Sequence, residues 1–327
     1  MFIEQANLPD NKFWKYIVGT VCIIMAIFIA QIPLVIAITA QTFATDQPFP
    51  VSNEEMMGIL DSNLMLFLML LSFAGGLAMV FIIARFLHKQ SLRGLTTARP
   101  KIDWKRVRFA FLLWAAITFA SLAVDYTMSP EDYVFNFKPI PFLILVVVAV
   151  IMIPLQTSAE EYIFRSYLMQ GIGIAAGNRW VPLLSTSLIF GLMHIANPEV
   201  TKMGNIIMIY YIGTGLFLGI VTLMDDGIEL PLGFHAANNL VGALLVTSEW
   251  TAFQTESLLR DVSDPSAGFD VILPVLVVFP LLLLFFSKKY KWTNWKEKLT
   301  GNITYHANTI SESTNGEPDL QRRSSEF

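Results

Sequence analysis

Apolar residues in this chain come in blocks too long to be one face of a globular helix or strand. A half-buried helix or strand repeats its hydrophobic positions with a period of 3.6 or 2. Here they run almost unbroken for about 17 to 25 residues at a time, enough to carry a helix across a hydrocarbon core of about 30 Å. Eight such runs fall near 14–40, 64–87, 107–125, 141–175, 180–197, 203–224, 228–247 and 270–287. Composition points the same way. Of 327 residues, 54% are hydrophobic and only 15% charged, with a mean hydropathy of +0.55, and that excludes an ordinary soluble enzyme. The one cysteine, Cys22, lies inside the first run, so neither a disulfide framework nor a cysteine metal cluster is available. No nucleic-acid-binding signature is present. The prediction is an all-α polytopic membrane protein of about eight transmembrane helices, with a helical domain over 1–287 and a basic, then disordered, cytoplasmic tail over 288–327.

The basic residues supply an orientation. With the N-terminus in the cytoplasm, that side collects Lys12, Lys15, Lys89, Arg93, Arg99, Lys101, Lys105, Arg106, Arg108 and Arg179. It also receives Lys288, Lys289, Lys291, Lys296, Lys298, Arg322 and Arg323, while Lys138, Lys202 and Arg260 fall opposite and Arg85 and Arg165 lie within runs. Both termini are therefore expected to be cytoplasmic. The first run follows Lys12 and Lys15 and is too long for a secretory h-region, so it reads as a retained helix of an integral membrane protein.

The fourth run is anomalous: 35 residues of helix would reach about 52 Å. Pro154, followed by Gln156, Thr157 and Ser158, predicts a kink or break there. Gly213, Gly215 and Gly219 in the sixth run predict close helix packing. No internal repeat of the kind transporters carry is visible. Asn302-Ile303-Thr304 matches a glycosylation sequon that would be silent on the cytoplasmic side.

An ionisable group in the middle of a span costs roughly 2.5 to 3.5 kcal/mol on insertion scales, so each one needs a reason. Here they cluster. Glu160, Glu161 and Arg165 lie in the fourth run, His194 in the fifth, and His235, Asn238 and Asn239 in the seventh. Glu161 and Arg165, four apart, share a helix face and can pair, whereas Glu160 points elsewhere and has Phe164 four residues ahead. Its cost must be met by another helix, by water or by protonation, which makes it the strongest candidate for a working carboxylate. Each remaining member has a plain reading as well. Glu161 and Arg165 can merely neutralise each other, and His194, or the pair His235 and Asn239, can be interhelical hydrogen-bonders. Gly191, three residues before His194, would let a helix or a substrate backbone come close. His235 and Asn239 share a face and can offer two donors to one oxygen, with Asn238 able to stand in for Asn239.

A carboxylate, an imidazole and a donor pair on three helices are what water-driven amide hydrolysis requires. Other intramembrane peptidase signatures are missing: there is no G-x-S-x-G elbow, no H-E-x-x-H and no pair of intramembrane aspartates.

Three short motifs then stand out in order. Glu160-Glu161-Tyr162-Ile163-Phe164-Arg165 reads E-E-x-x-x-R, Phe190 to His194 reads F-x-x-x-H, and His235 to Asn239 reads H-x-x-x-N. Over about residues 141–247 the chain resembles the CAAX-protease and bacteriocin-processing family of intramembrane glutamic endopeptidases, which includes the type II CAAX prenyl endopeptidases. The resemblance implies an eight-helix fold without a metal cofactor. In it Glu160 and His194 activate water, His235 and Asn239 form an oxyanion hole, and Glu161 with Arg165 order the site. It implies a peptide or lipidated-peptide substrate, be it a prenylated CAAX-like end, a leader peptide or a membrane-protein loop.

Alternatives remain open at this level. Glu160, His194 and His235 are a legitimate zinc set, although without a short-spaced pair. The same polar cluster could serve a non-catalytic immunity or scaffold protein, or a proton relay in a transporter. Depth poses a difficulty too: counted from the cytoplasmic ends of the runs, Glu160 and His194 lie about 21 to 23 Å deep and His235 only about 10 Å. An earlier start to the seventh span, or a tilted or broken fourth and fifth, would reconcile them.

Overall fold

Where the sequence runs apolar, the chain is helical. The computed structural model describes residues 1–46, 48–265 and 268–303. Of the tail expected to be disordered from about 297, the part beyond 303, including Thr304 of the sequon, His306, Arg322 and Arg323, lies outside the described residues. Six helices are long and apolar enough to cross a membrane among those described. They are α1 (Phe13–Thr45), α2 (Ser62–Phe86), α3 (Trp104–Met128), α4 (Pro139–Ala176), and, after a shorter α5 (Trp180–Leu192), α6 (Asn205–Asp225). Next come α7 (Glu229–Leu245) and, as the sixth long helix, α8 (Val271–Tyr290). Eight rods thus match the eight runs, but α5 and α7 have only 13 and 17 residues. Helix α5 ends at Leu192 in a series of turns before Asn197-Pro198, some residues short of its apolar run.

Apolar side chains on the outside of the bundle, among them Phe28, Ile36, Phe119, Ile140 and Leu281, are all more than half exposed. That surface is stable only against lipid, and the chain is an integral, multi-pass membrane protein.

Helix α7 sits in the interior. It packs on α3, α4 and α6, and its buried face runs from Glu229 through Phe234, His235 and Ala237 to Ala243. Because lipid is as apolar as a protein core, hydrophobicity alone cannot hold α7 there, and close packing must. A Cβ on Gly233 would collide with the Val107 carbonyl of α3, so the two backbones approach as only glycine permits. Trp114 of α3 lies against Phe234 with ring centroids 4.3 Å apart, and Phe217 stacks on Phe279 at 4.6 Å. The glycines of α6 behave as expected: a Cβ on Gly215 would stand 2.8 Å from the Ser187 carbonyl oxygen of α5.

Helix α4 does not break at Pro154. The chain stays helical throughout, and the irregularity comes later, as a π-helical stretch over Glu161–Leu168. A π turn closes i to i+5 and carries more residues per turn than an α turn, so consecutive side chains diverge less than the usual angle of about 100°.

The basic end of the bundle carries a cap. Ile3–Ala6 packs on the last turns of α4, and Arg179 pairs with Glu4 at 2.7 Å. Ile303 is buried against the same end, where its N–H bonds the Gly177 carbonyl at 2.9 Å. The polar segment that follows α8 is therefore docked as far as the description extends, through a short helix at Trp295–Thr300. Arg99 joins Asp225 at 2.7 Å and Glu229 at 2.9 Å, and Arg106 reaches Asp225 at 2.6 Å, so several of the basic residues that mark this end are structural partners. At the far end Tyr133–Phe135, Val246–Thr247 and Leu259–Asp261 form a small sheet that the helical pattern did not predict.

The cap removes the difficulty of depth. Ser166 Oγ donates to the Leu95 carbonyl, and the next carbonyl, Thr96, accepts from Ile228 N at 2.9 Å. The start of α7 is thus level with Ser166, six residues beyond Glu160, and α4 overruns it by several turns into the cap. Glu160 and His235 stand at equal depth without any break in either helix.

Candidate functional site

Five of the six motif residues converge where α4 faces α7. Glu161 is fully buried and Arg165 is 1% exposed. Arg165 Nη1 donates to Glu161 Oε1 at 3.2 Å, the i to i+4 pair the spacing predicts, and its guanidinium lies 3.9 Å above the ring of Phe190 from α5. Glu160 departs from the expectation that it points away from its neighbour. Its Oε2 lies 3.4 Å from His235 Nε2, while Glu161 Oε1 lies 2.8 Å from His235 Nδ1, so one imidazole meets both carboxylates. The step between the two residues is an ordinary helical one, and it is the imidazole, reaching in from α7 with a nitrogen on either side, that bridges them. Glu160's partner comes from another helix, as its isolation on α4 requires.

His235 and Asn239 both face α4, but neither is an idle donor. With Nδ1 and Nε2 both directed at carboxylates, His235 has no ring nitrogen left over. Asn239 Nδ2 donates to Gln156 Oε1 at 3.0 Å. Asn238 Nδ2 donates to Asn239 Oδ1 at 3.0 Å, and Trp114 Nε1 donates to Asn238 Oδ1 at 3.0 Å. Gln156 was read from the sequence only as part of a break near Pro154. Its position four residues before Glu160, hence on the same face of an apolar helix, was the signal that it belongs to the site.

His194 stands apart. It lies in the turn after α5 and is half-buried, with its ring stacked on Tyr211 of α6 at a centroid distance of 4.4 Å and an interplanar angle of 22°. Its Nδ1 donates to the Phe190 carbonyl at 2.7 Å, which leaves Nε2 as the proton-accepting nitrogen. It bonds neither Glu160 nor Glu161. Phe190 links the two regions, with its ring 4.8 Å from His194 and 6.2 Å from His235. The gap left by Gly191 is occupied by Ile212 of α6 rather than open to a substrate. Nearby, Glu199 accepts from Ala252 N at 2.8 Å, and burial pushes its carboxyl above the ordinary range.

Glu160, His194 and His235 do not gather as the zinc reading needs, and among the described residues no three such side chains are grouped to hold a metal ion. What the arrangement offers is a carboxylate at the edge of a buried charge cluster, beside a chain of amide donors.

Comparison with known proteins gives a family match over this part of the chain. A family model described as type II CAAX prenyl endopeptidase Rce1-like matches residues 138–241, a segment that holds all three motifs and Gln156. The chain is 30% identical over 215 residues to YyaK, an uncharacterized protein of Bacillus subtilis, and the match covers 65% of this chain and 72% of that one. No solved structure matches.

Proposed function

The chain belongs to the Rce1-like family of type II CAAX prenyl endopeptidases, a protease family of the membrane, and from that premise we propose that it cuts a peptide bond with water activated by Glu160. The observation that carries this reading is the convergence of Glu160, Glu161 and His235 deep between α4 and α7, at 3.4 and 2.8 Å. Arg165 and His235 hold Glu161, and Glu160 is left at the margin as the general base. A water on Glu160 gives it a proton while its oxygen adds to the amide carbon. The carbonyl electrons move to oxygen, and Glu160 returns the proton to the departing nitrogen as the C–N bond breaks. His194 contributes Nε2 to the same water once a peptide is bound, because catalytic contacts that are loose in a free enzyme tighten in the complex. Asn239 steadies the developing oxyanion. No step requires a metal.

The substrate is a peptide segment that reaches the site from the bilayer or its cytoplasmic surface: a prenylated CAAX-like end, a leader peptide or a membrane-protein loop. The test is quantitative proteomics of the membrane fraction, comparing cells that carry the wild type with cells that carry Glu160→Gln. Peptides whose cleavage depends on Glu160 identify both activity and substrate. If no cleavage differs while Glu160→Gln is folded and equally abundant, the peptidase reading fails. A binding phenotype that survives both Glu160→Gln and His194→Ala would instead favour an immunity or scaffold role.

A further inference from the structure

Among the site's polar side chains, Gln156 has an unassigned part. It is 3% exposed, in the middle of α4, one turn from Glu160 on the same face. Three hydrogen bonds lead to it: Trp114 Nε1 to Asn238 Oδ1, Asn238 Nδ2 to Asn239 Oδ1, and Asn239 Nδ2 to Gln156 Oε1, each 3.0 Å long. A primary amide has nearly the same shape when turned over, so any single link could be reversed. An indole nitrogen, however, only donates. Trp114 therefore fixes the sense of the whole series. Asn238 must turn its oxygen to the indole and its nitrogen to Asn239, which must then turn its own nitrogen to Gln156. The series ends on Gln156 Nε2, an amide nitrogen with two N–H groups.

Among the described residues no acceptor meets Gln156 Nε2, yet it is not one of the sealed polar atoms, as Glu161 Oε2 and Arg165 Nη2 are. It keeps a little accessible surface, through which a partner from outside the protein can approach. Every bond behind it polarises the next, so the terminal N–H groups are stronger donors than those of an isolated amide. His235, by contrast, directs both ring nitrogens at carboxylates.

Resting on the peptidase reading, we propose that Gln156 Nε2 binds the carbonyl oxygen of the peptide bond under attack. When water adds to that carbon and its proton passes to Glu160, the electron pair driven onto oxygen is held by Gln156 Nε2 and by the second hydrogen of Asn239 Nδ2. When the C–N bond breaks, the pair returns to re-form the carbonyl, and Gln156 releases it. Gln156 is thus a catalytic residue additional to the three motifs, pre-aimed by Trp114 at the far end of the relay.

The test uses the full-length protein in lipid nanodiscs and in cells. Gln156→Met removes the donor and the acceptor for Asn239, whereas Gln156→Glu, assayed at a pH where the new carboxyl is ionised, keeps that acceptor and removes the amide N–H donors, so it decides the matter if the first variant does not fold. Each is expected to lower cleavage of the Glu160-dependent peptides by about 100-fold, as loss of one oxyanion donor does. Cleavage at the wild-type level in Gln156→Glu overturns the proposal and leaves the peptidase reading intact. The second arm is independent of any substrate. The side-chain amide signal of nitrogen-15-labelled Gln156, assigned by its loss in Gln156→Met, is expected to exchange with water and to shift with N-methylacetamide, a plain amide-carbonyl probe. A protected signal indifferent to the probe overturns the proposal even if every peptide result is negative. Should Glu160 prove dispensable while Gln156 still responds, the peptidase reading falls and carbonyl binding stands.

Discussion

His235 Nδ1 lies 2.8 Å from Glu161 Oε1, and this contact separates the roles of two adjacent carboxylates. Glu161 takes both His235 and Arg165 on its Oε1 and is wholly buried. Glu160 has a single longer contact at 3.4 Å and is 9% exposed.

The two glutamates are therefore expected to fail differently. Removing Glu161 strands the buried guanidinium of Arg165, and breaking a buried pair from one side costs about 3 to 5 kcal/mol. Glu161→Ala should unfold at a clearly lower temperature in detergent or lose expression altogether. Glu160→Gln should melt close to the wild type while its cleavage rate drops by about 100-fold or more, the usual worth of a general base. Thermal unfolding and turnover measured on the same preparations separate the two, and equal melting losses for both would contradict the division of roles.

Packing between α3 and α7 makes a second expectation. Gly233 faces the Val107 carbonyl with no room for a methyl group, whereas a Cβ on Gly242, further along the same helix, meets nothing within 4 Å. Gly233→Ala must push the helices apart, at a cost of about 1 to 3 kcal/mol for overpacking. Gly242→Ala should be neutral or stabilise by about 0.5 to 1 kcal/mol, since alanine is the better helix former. Chemical or thermal unfolding of the two variants checks the sign of each.

Much of this architecture was legible because lipid imposes a simple rule: a spanning helix must be apolar for its whole length. The rule found every rod, and it made Glu160, Glu161, Arg165, His194, His235 and Asn239 conspicuous as exceptions. It could not show that α4 overruns the bundle, since Ser166 is level with Ile228 only through bonds made by Leu95 and Thr96, which belong to a polar connection with no periodicity to read. Nor could spacing along α4 place Glu160 and Glu161 around one imidazole, because that imidazole, His235, comes from another helix and its approach is set by tertiary packing. Gln156 was hidden for a related reason. A glutamine two residues after a proline in an apolar run looks like relief for a broken backbone until its partner on α7 is known.

Metal removal supplies a third expectation. If Glu160 and His194 activate water without a metal, hydrolysis should persist in the presence of strong chelators, and the purified protein should carry no stoichiometric zinc. Because His194 gives Nδ1 to the Phe190 carbonyl and its ring face to Tyr211, His194→Ala should reduce turnover without changing metal content. Inhibition by chelators that zinc restores would return Glu160, His194 and His235 to the role of ligands.

Acid sensitivity is expected from a group outside the site. His88 follows α2 at the basic end and is 3% exposed. Its Nδ1 bonds Asn11 Oδ1, its Nε2 bonds the Tyr167 hydroxyl at 2.9 Å, and the Tyr16 ring lies 4.3 Å away. Burial first, and then the charge of Lys15, push its pKa down from 6.5 to about 4. Above the unfolded value both states hold a neutral imidazole, so His88 contributes no pH dependence there. Between the two values the unfolded chain binds a proton that the folded chain refuses, and stability must fall as the solution is acidified. Below the folded value both states are protonated and the loss is complete. Wild-type protein should thus lose melting temperature between pH 6.5 and about 4, and His88→Gln, though less stable at neutral pH, should show a flatter profile over that interval. Parallel profiles for the two proteins would mean that His88 is charged in the folded state, and that the hydrogen bonds to Asn11 and Tyr167 do not exclude the proton.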